Sequence, residues 1–106
     1  GYLGFYLSLL GLFSKSNDIS MLAIRSYKNK QQVYRKELYP VMWAKIQENI
    51  ANVYYNIGKN SMDKKAFAEA IDYYQSALKI YENKKLQQEI SIVNSSMDKV
   101  MKAWRA

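Results

Sequence analysis

Neither cysteine nor histidine occurs anywhere in the chain. Their absence removes Cys-based zinc sites, thiol nucleophiles, disulfides and every imidazole general base. It leaves the redox compartment open, because a chain without thiols folds in oxidising and reducing surroundings alike. Proline occurs once and glycine four times, all within the first 58 residues, and so few breakers suit long helices. Acidic residues are outnumbered as well, nine against sixteen Lys and Arg, which gives a net charge of +7. The chain therefore attracts anions, either as a merely solvated lysine-rich surface or as a surface for nucleic acid, acidic lipid or an acidic peptide. No Gly-rich phosphate loop is present, since Gly1, Gly4 and Gly11 lack the Lys-Ser/Thr that would follow them. Asp63, Glu69 and Asp72 are spaced like a solvated helix face rather than a catalytic pair. Without a nucleophile–base set or paired acids, the expectation is a chain that is no enzyme and uses no cofactor and no metal.

What is present is apolar and periodic. Of the 106 residues, 49% are hydrophobic, enough for one domain with one modest core. The chain opens on Gly1 rather than Met, as expected of a segment of a longer protein. Residues 1–13, GYLGFYLSLLGLF, are apolar on nearly every face. The run is too short to span a bilayer and has no basic flank before it. It reads as the tail of a first helix, buried on both sides, which predicts a preceding repeat or self-association through this surface.

Residues 14–18, Ser-Lys-Ser-Asn-Asp, read as a polar loop with several candidate N-caps. A second helix is expected over 19–38 from Ile19, Ala23, Tyr27, Val33-Tyr34 and Leu38. Pro40 then opens a third helix, running to about residue 57 on the stripe Trp43, Ile46, Ile50, Val53-Tyr54 and Ile57, with Gly58 as its C-cap. After a loop over 58–64, a fourth helix spans about 64–83, with Phe67, Ala70-Ile71, Tyr74, Ala77-Leu78 and Tyr81 inward. A fifth, over 86–104, sets Ile90, Val93, Met97, Val100-Met101 and Trp104 against a polar opposite face, as a terminal capping helix does.

The chain partly repeats at an offset of 47 residues. Leu3-Gly4 falls on Ile50-Ala51, Leu10-Gly11 on Ile57-Gly58, Ala23-Ile24 on Ala70-Ile71, Tyr27 on Tyr74 and Val33-Tyr34 on Ile80-Tyr81. One offset aligning both the glycines and the helix cores implies a stack of supersecondary units. Lys30 and Gln31, which replace Ala77 and Leu78, are where the match weakens.

The run Ala70, Tyr74, Ala77, Tyr81, preceded by Trp43-Ala44, Gln47, Asn49-Ile50-Ala51 and Tyr54, resembles the tetratricopeptide repeats, in particular long-loop bacterial members. The resemblance implies an all-α superhelix of about five antiparallel helices in one domain: a first repeat over 1–38, a second over 40–83 and the capping helix over 86–104. It departs from the family in lacking the Leu-Gly pair at Ile50-Ala51 and a proline after Tyr81. A three-helix module of the microtubule-interacting and trafficking kind, whose Ala-Tyr-Tyr-Ala helices look similar to 66–82, fits the five-helix pattern less well.

The resemblance also implies a function, that of a scaffold holding a peptide or partner domain on its concave face. Taking Ile50 as the core direction, at about 100° per residue, Lys45, Glu48, Asn52, Tyr55, Asn56 and Lys59 point away from the core. Amides such as Asn52 and Asn56 suit a peptide backbone, and Lys45 suits a carboxylate. Some family members clamp carboxylates with Lys and Asn from successive first helices. Asn52 fits one such position and Lys99 lies one repeat further on, but the matching residue of the opening helix is the apolar Phe5, so that specific ligand is not implied. The expected contact residues are Lys45, Glu48, Asn52, Tyr55, Asn56 and Lys99. Tyr55 and Tyr73 lie beside core positions, while Tyr27, Tyr34, Tyr54, Tyr74 and Tyr81 keep core spacing. Nucleic acid is the alternative partner, disfavoured because Arg25, Arg35 and Arg105 are scattered and Lys dominates.

Overall fold

The computed structural model describes residues 12–106. Among them are four α-helices and no strand: α1 (Leu12–Val33), α2 (Pro40–Ser61), α3 (Lys64–Asn83) and α4 (Gln87–Arg105). The chain is all-α, as expected. The expected first helix over 1–13 falls almost wholly outside the described residues, and with it the self-association expected there. No helix among the described residues is long and apolar enough to cross a membrane.

Neighbouring helices run antiparallel. Asn17 and Gln31 of α1 bond Ser61 and Gln47 of α2, so partner numbers fall on one helix as they rise on the other. On α2 and α3, Glu48 pairs with Tyr81, Asn52 with Tyr74, and Tyr55 with Phe67 in the same sense. Connections of two and three residues on either side of α3 leave no other geometry.

The core is built on a seven-residue spacing. Ala44, Ala51 and Gly58 form a row of small residues on α2, and Phe67, Tyr74 and Tyr81 form a row of large ones on α3. Gly58 meets the Phe67 ring, and the same antiparallel register sets Ala51 level with Tyr74 and Ala44 level with Tyr81. Large therefore opposes small along the interface, which lets the helices approach closely. Ala70 and Ala77 on α3 and Val93 and Val100 on α4 keep the same interval and are fully buried. A second cluster, Ile24, Ile46, Ile50, Ile57 and Ala66, packs α1 onto α2 and α3. Helix α2 thus shows one face to α1 and another to α3, and is the centre of the molecule. A buried amide ties these faces together. Gln47 accepts from Gln31 Nε2 at 2.7 Å and donates to Ser76 Oγ at 2.9 Å. Gln31, where the internal repeat weakens, is therefore half of a polar staple between α1 and α2.

Three expected boundaries are corrected. The polar tract 14–18 is not a loop but lies inside α1. It holds neither Gly nor Pro, Ser and Asn cost a helix only about 0.5 kcal/mol each, and Asn17 is anchored to Ser61 Oγ at 2.6 Å. At the other end α1 stops at Val33, short of the expected residue 38. Tyr34–Tyr39 form the connection, closed by the Leu38 and Tyr39 amides on the Arg35 carbonyl and by an edge-to-face Tyr34–Tyr39 pair at 5.5 Å. Tyr39 leaves the helical region (φ −134°, ψ 63°) before Pro40, where the proline ring disfavours a helical residue ahead of it. Val33, Tyr34 and Leu38 are consequently exposed, and so is Ile19.

The third correction concerns Gly58. It does not end α2, which continues one turn further to Ser61. The terminus is made by Met62, in the left-handed conformation (φ 52°), with the Met62 and Asp63 amides both on the Gly58 carbonyl. Asp63 in turn caps α3, accepting from the Lys65 and Ala66 amides, so the long loop expected over 58–64 shrinks to two residues. The fourth-helix limits, 64 and 83, stand as read, and the last helix is shifted by one residue.

Candidate functional site

The polar strip of α2 is positioned by the core row behind it. Tyr74 and Tyr81 cross the small residues of α2 and carry their hydroxyls to its far side. There Tyr74 donates to Asn52 Oδ1 and Tyr81 donates to Glu48 Oε1, the latter at 2.8 Å. Glu48 and Asn52 are four apart on the helix, so the two bonds stack one turn above the other. Burial raises the Tyr74 hydroxyl to about 12, and the Tyr81 hydroxyl is pushed up by burial and then by the neighbouring Glu48 carboxylate. Both phenols stay protonated and act as fixed donors.

This geometry corrects the expected orientation of Glu48. It does not point away from the core: only 8% of the residue is exposed, because the Tyr81 hydroxyl draws the carboxylate inward. Its remaining outward contact is Lys45, whose Nζ lies 3.9 Å from the same oxygen while its side chain stays largely in water. Lys45 thereby has a buried anion beside it, at ion-pair rather than hydrogen-bond distance. Asn52 is exposed; its carbonyl accepts from Tyr74, and its NH2 is the donor it offers to the outside.

Asn52, Tyr55 and Lys99 do converge. With Tyr74 and Ser96 they line one crevice of about 100 Å³ between α2, α3 and α4. The Tyr55 ring is half-buried against Phe67, at 6.2 Å, and carries the Lys59 ammonium 4.5 Å from its centroid. Asn56 is exposed on the same helix but is not part of the crevice wall. The crevice offers an ammonium, an amide, two phenols and a hydroxyl. It can hold polar groups through several hydrogen bonds. Among the described residues of its wall there is no carboxylate. Among the described residues no three carboxylates gather in a metal-binding arrangement.

Two members of this wall were not among the expected contacts. Tyr74 keeps core spacing, and its ring is in the core; only its hydroxyl emerges, which a periodicity argument does not see. Ser96 lies three residues before Lys99 and so shares its helix face, a signal that was available in the spacing. Tyr73 is half-buried, stacked on Tyr54 at 5.5 Å with Lys28 above it, and belongs to the α1 side of the molecule.

No family model, no curated protein and no solved structure matches this chain. The functional reading therefore stands on the residues and their geometry.

Proposed function

We propose that the chain is a protein-interaction module, a short helical-repeat scaffold of the tetratricopeptide kind, that holds a peptide or partner domain on the face shared by α2 and α4. In this reading α2 and α3 form one repeat, α1 is the second helix of the repeat before it, and α4 caps the stack. That face is the concave one. Lys45, Asn52, Tyr55, Asn56 and Lys99 make the contacts, and Glu48 holds Lys45 in place. The observation that supports it is the convergence of Asn52, Tyr55 and Lys99, from two helices, on one polar crevice whose phenolic donors are locked by the core. The antiparallel helix pair 40–83, with its small-against-large packing, supports the repeat architecture.

The test uses residues whose loss leaves the core intact. Asn52→Ala strands the buried Tyr74 hydroxyl and is unsuitable. A Lys45→Ala/Asn56→Ala/Lys99→Ala variant removes only exposed groups. Both chains are immobilised and offered the same nuclease-treated lysate, with helix content checked by circular dichroism. A protein retained by the wild type and lost by the equally helical variant is the expected result. Equal retention by both chains would remove this face from the account.

A further inference from the structure

A second cavity, of about 520 Å³, opens at the other end of α2. It lies where the α1–α2 connection and Pro40 meet the last turns of α3. Pro40 is twelve residues from Asn52, about 18 Å along the helix axis, so this cavity is separate from the crevice described above. Its walls carry Lys36 and Glu37 from the connection and Lys79, Asn83 and Lys84 from α3; Pro40 and Ile80, both half-buried, supply an apolar surface.

The charge is unbalanced. Three ammonium groups face one carboxylate, and none of Lys36, Lys79 and Lys84 makes an ion pair with a described acidic residue. Lys36 is also held, with its Nζ 5.1 Å from the centroid of the Trp43 ring. The volume is within the range of ligand sites rather than of packing defects, roughly 300–1,000 Å³. A cluster of like charges around an apolar surface is an arrangement that an amphipathic anion relieves.

The wall chemistry narrows the class of anion. Its cations are lysines, compact point charges without the planar fork that selects phosphate, and it contains no arginine. Among the described residues no aromatic ring lines it for a base to stack on, and the nearby Trp43 ring has the Lys36 ammonium 5.1 Å from its centroid. Carboxylates flanking an apolar side chain fit both halves of the wall. We propose that this cavity is a docking site for an acidic peptide segment, with one apolar side chain on Pro40 and Ile80 and neighbouring Asp or Glu carboxylates held by Lys36, Lys79 and Lys84.

Fluorescence anisotropy of labelled probes tests this on the full chain. The probes are a short peptide with a leucine between paired glutamates, the same peptide with glutamines, and a single-stranded oligonucleotide of matched charge. The proteins are the wild type, Lys79→Glu/Lys84→Glu, and a charge-matched control, Lys64→Glu/Lys65→Glu, in the first turn of α3 and away from both candidate sites. All four substituted lysines are exposed, so both variants are expected to keep the wild-type circular dichroism. The acidic peptide should bind the wild type and the control within about twofold of each other and lose at least about tenfold on Lys79→Glu/Lys84→Glu. The glutamine peptide should not bind. Equal losses in both variants would reduce the effect to net charge. Failure of the acidic peptide to bind, or tighter binding of the oligonucleotide at the same lysines, would overturn the proposal. The concave-face reading is unaffected by any of these results, because it is read out by a different set of residues.

Discussion

Replacing Gly58 by alanine should destabilise the protein, although helix propensity alone says the opposite. Gly58 has an ordinary helical backbone with no positive φ and lies inside α2. In such a place Gly→Ala normally gains about 1 kcal/mol. A methyl group here, however, would lie 2.5 Å from Phe67 Cε1, 2.6 Å from Cδ1 and 3.0 Å from Cζ. Carbon atoms rest at about 3.5–4.0 Å, so the ring must retreat by roughly 1 Å. Phe67 is buried and is the first residue of the large row facing α2, so its movement disturbs the packing behind it. Overpacking of this kind costs typically about 1–3 kcal/mol. Set against the propensity gain, the net loss is about 0–2 kcal/mol, a fall in Tm of up to about 15 °C for a chain of this size.

The assay is thermal and urea unfolding of four chains: wild type, Gly58→Ala, Phe67→Leu and the double variant. Phe67→Leu removes the ring atoms that the methyl meets, at its own cavity cost. In that background Gly58→Ala should become neutral or stabilising. The sign of the substitution thus depends on Phe67, with a coupling of roughly 1–3 kcal/mol. A Gly58→Ala chain more stable than wild type, or the same shift in both backgrounds, would refute the close approach as the reason for this glycine.

Two other perturbations act on separate features. Met62 and Lys85 sit in left-handed conformations (φ 52° and 58°) at helix ends, and Met62 is 78% exposed, so Met62→Gly loses no packing. Relief of the left-handed strain, about 1–2 kcal/mol, exceeds the added chain entropy, and Met62→Gly should stabilise by about 0.5–1 kcal/mol in urea unfolding where Met62→Ala does not. The third prediction concerns alkaline pH. An unfolded tyrosine ionises near 10, and burial holds Tyr74 to about 12, so the folded state favours the neutral phenol. Its contribution is therefore full below pH 10 and lost as pH rises from about 10 to about 12. The urea midpoint should fall across that window, tyrosinate absorbance should rise together with unfolding, and Tyr74→Phe should flatten the decline; a midpoint independent of pH up to 11.5 would count against the buried phenol.

What the sequence made legible follows the range of the forces involved. Helix α3 was readable because its determinants are local, small and aromatic positions at intervals of three, four and seven; Asp63, read as part of a solvated helix face, is in fact its cap. The start of α2 at Pro40 was local as well. Gly58 was misread because a glycine near the end of a helical stripe has two uses, to turn the backbone or to admit a neighbour. Only Phe67, nine residues on and across a turn, decides between them. The polar tract 14–18 looked like a loop because Ser, Asn and Asp favour caps; what keeps it helical is at least partly Asn17 on Ser61, 44 residues away. Glu48 was placed with the solvent-facing residues by angle alone. Its burial is set by a hydroxyl 33 residues distant that no periodicity reports.

The same long-range bonds explain why core and polar face cannot be treated as independent surfaces. A tyrosine at a core position fills the groove beside Ala44 or Ala51, and because the facing residue is small, its hydroxyl extends through to the next helix face. Phenylalanine at position 74 or 81 would fill the groove equally well and leave Asn52 or Glu48 without its donor. Glu48 would then be a buried carboxylate bound only by an exposed lysine, an arrangement that favours turning outward to water. Lys45 would lose its fixed partner, and the strip would become a set of mobile side chains. On this argument the choice of Tyr over Phe at 74 and 81 serves the face rather than the core. On the proposed reading, Tyr81→Phe should therefore leave helix content unchanged while weakening the partner contact proposed for Lys45, as Lys45→Ala should.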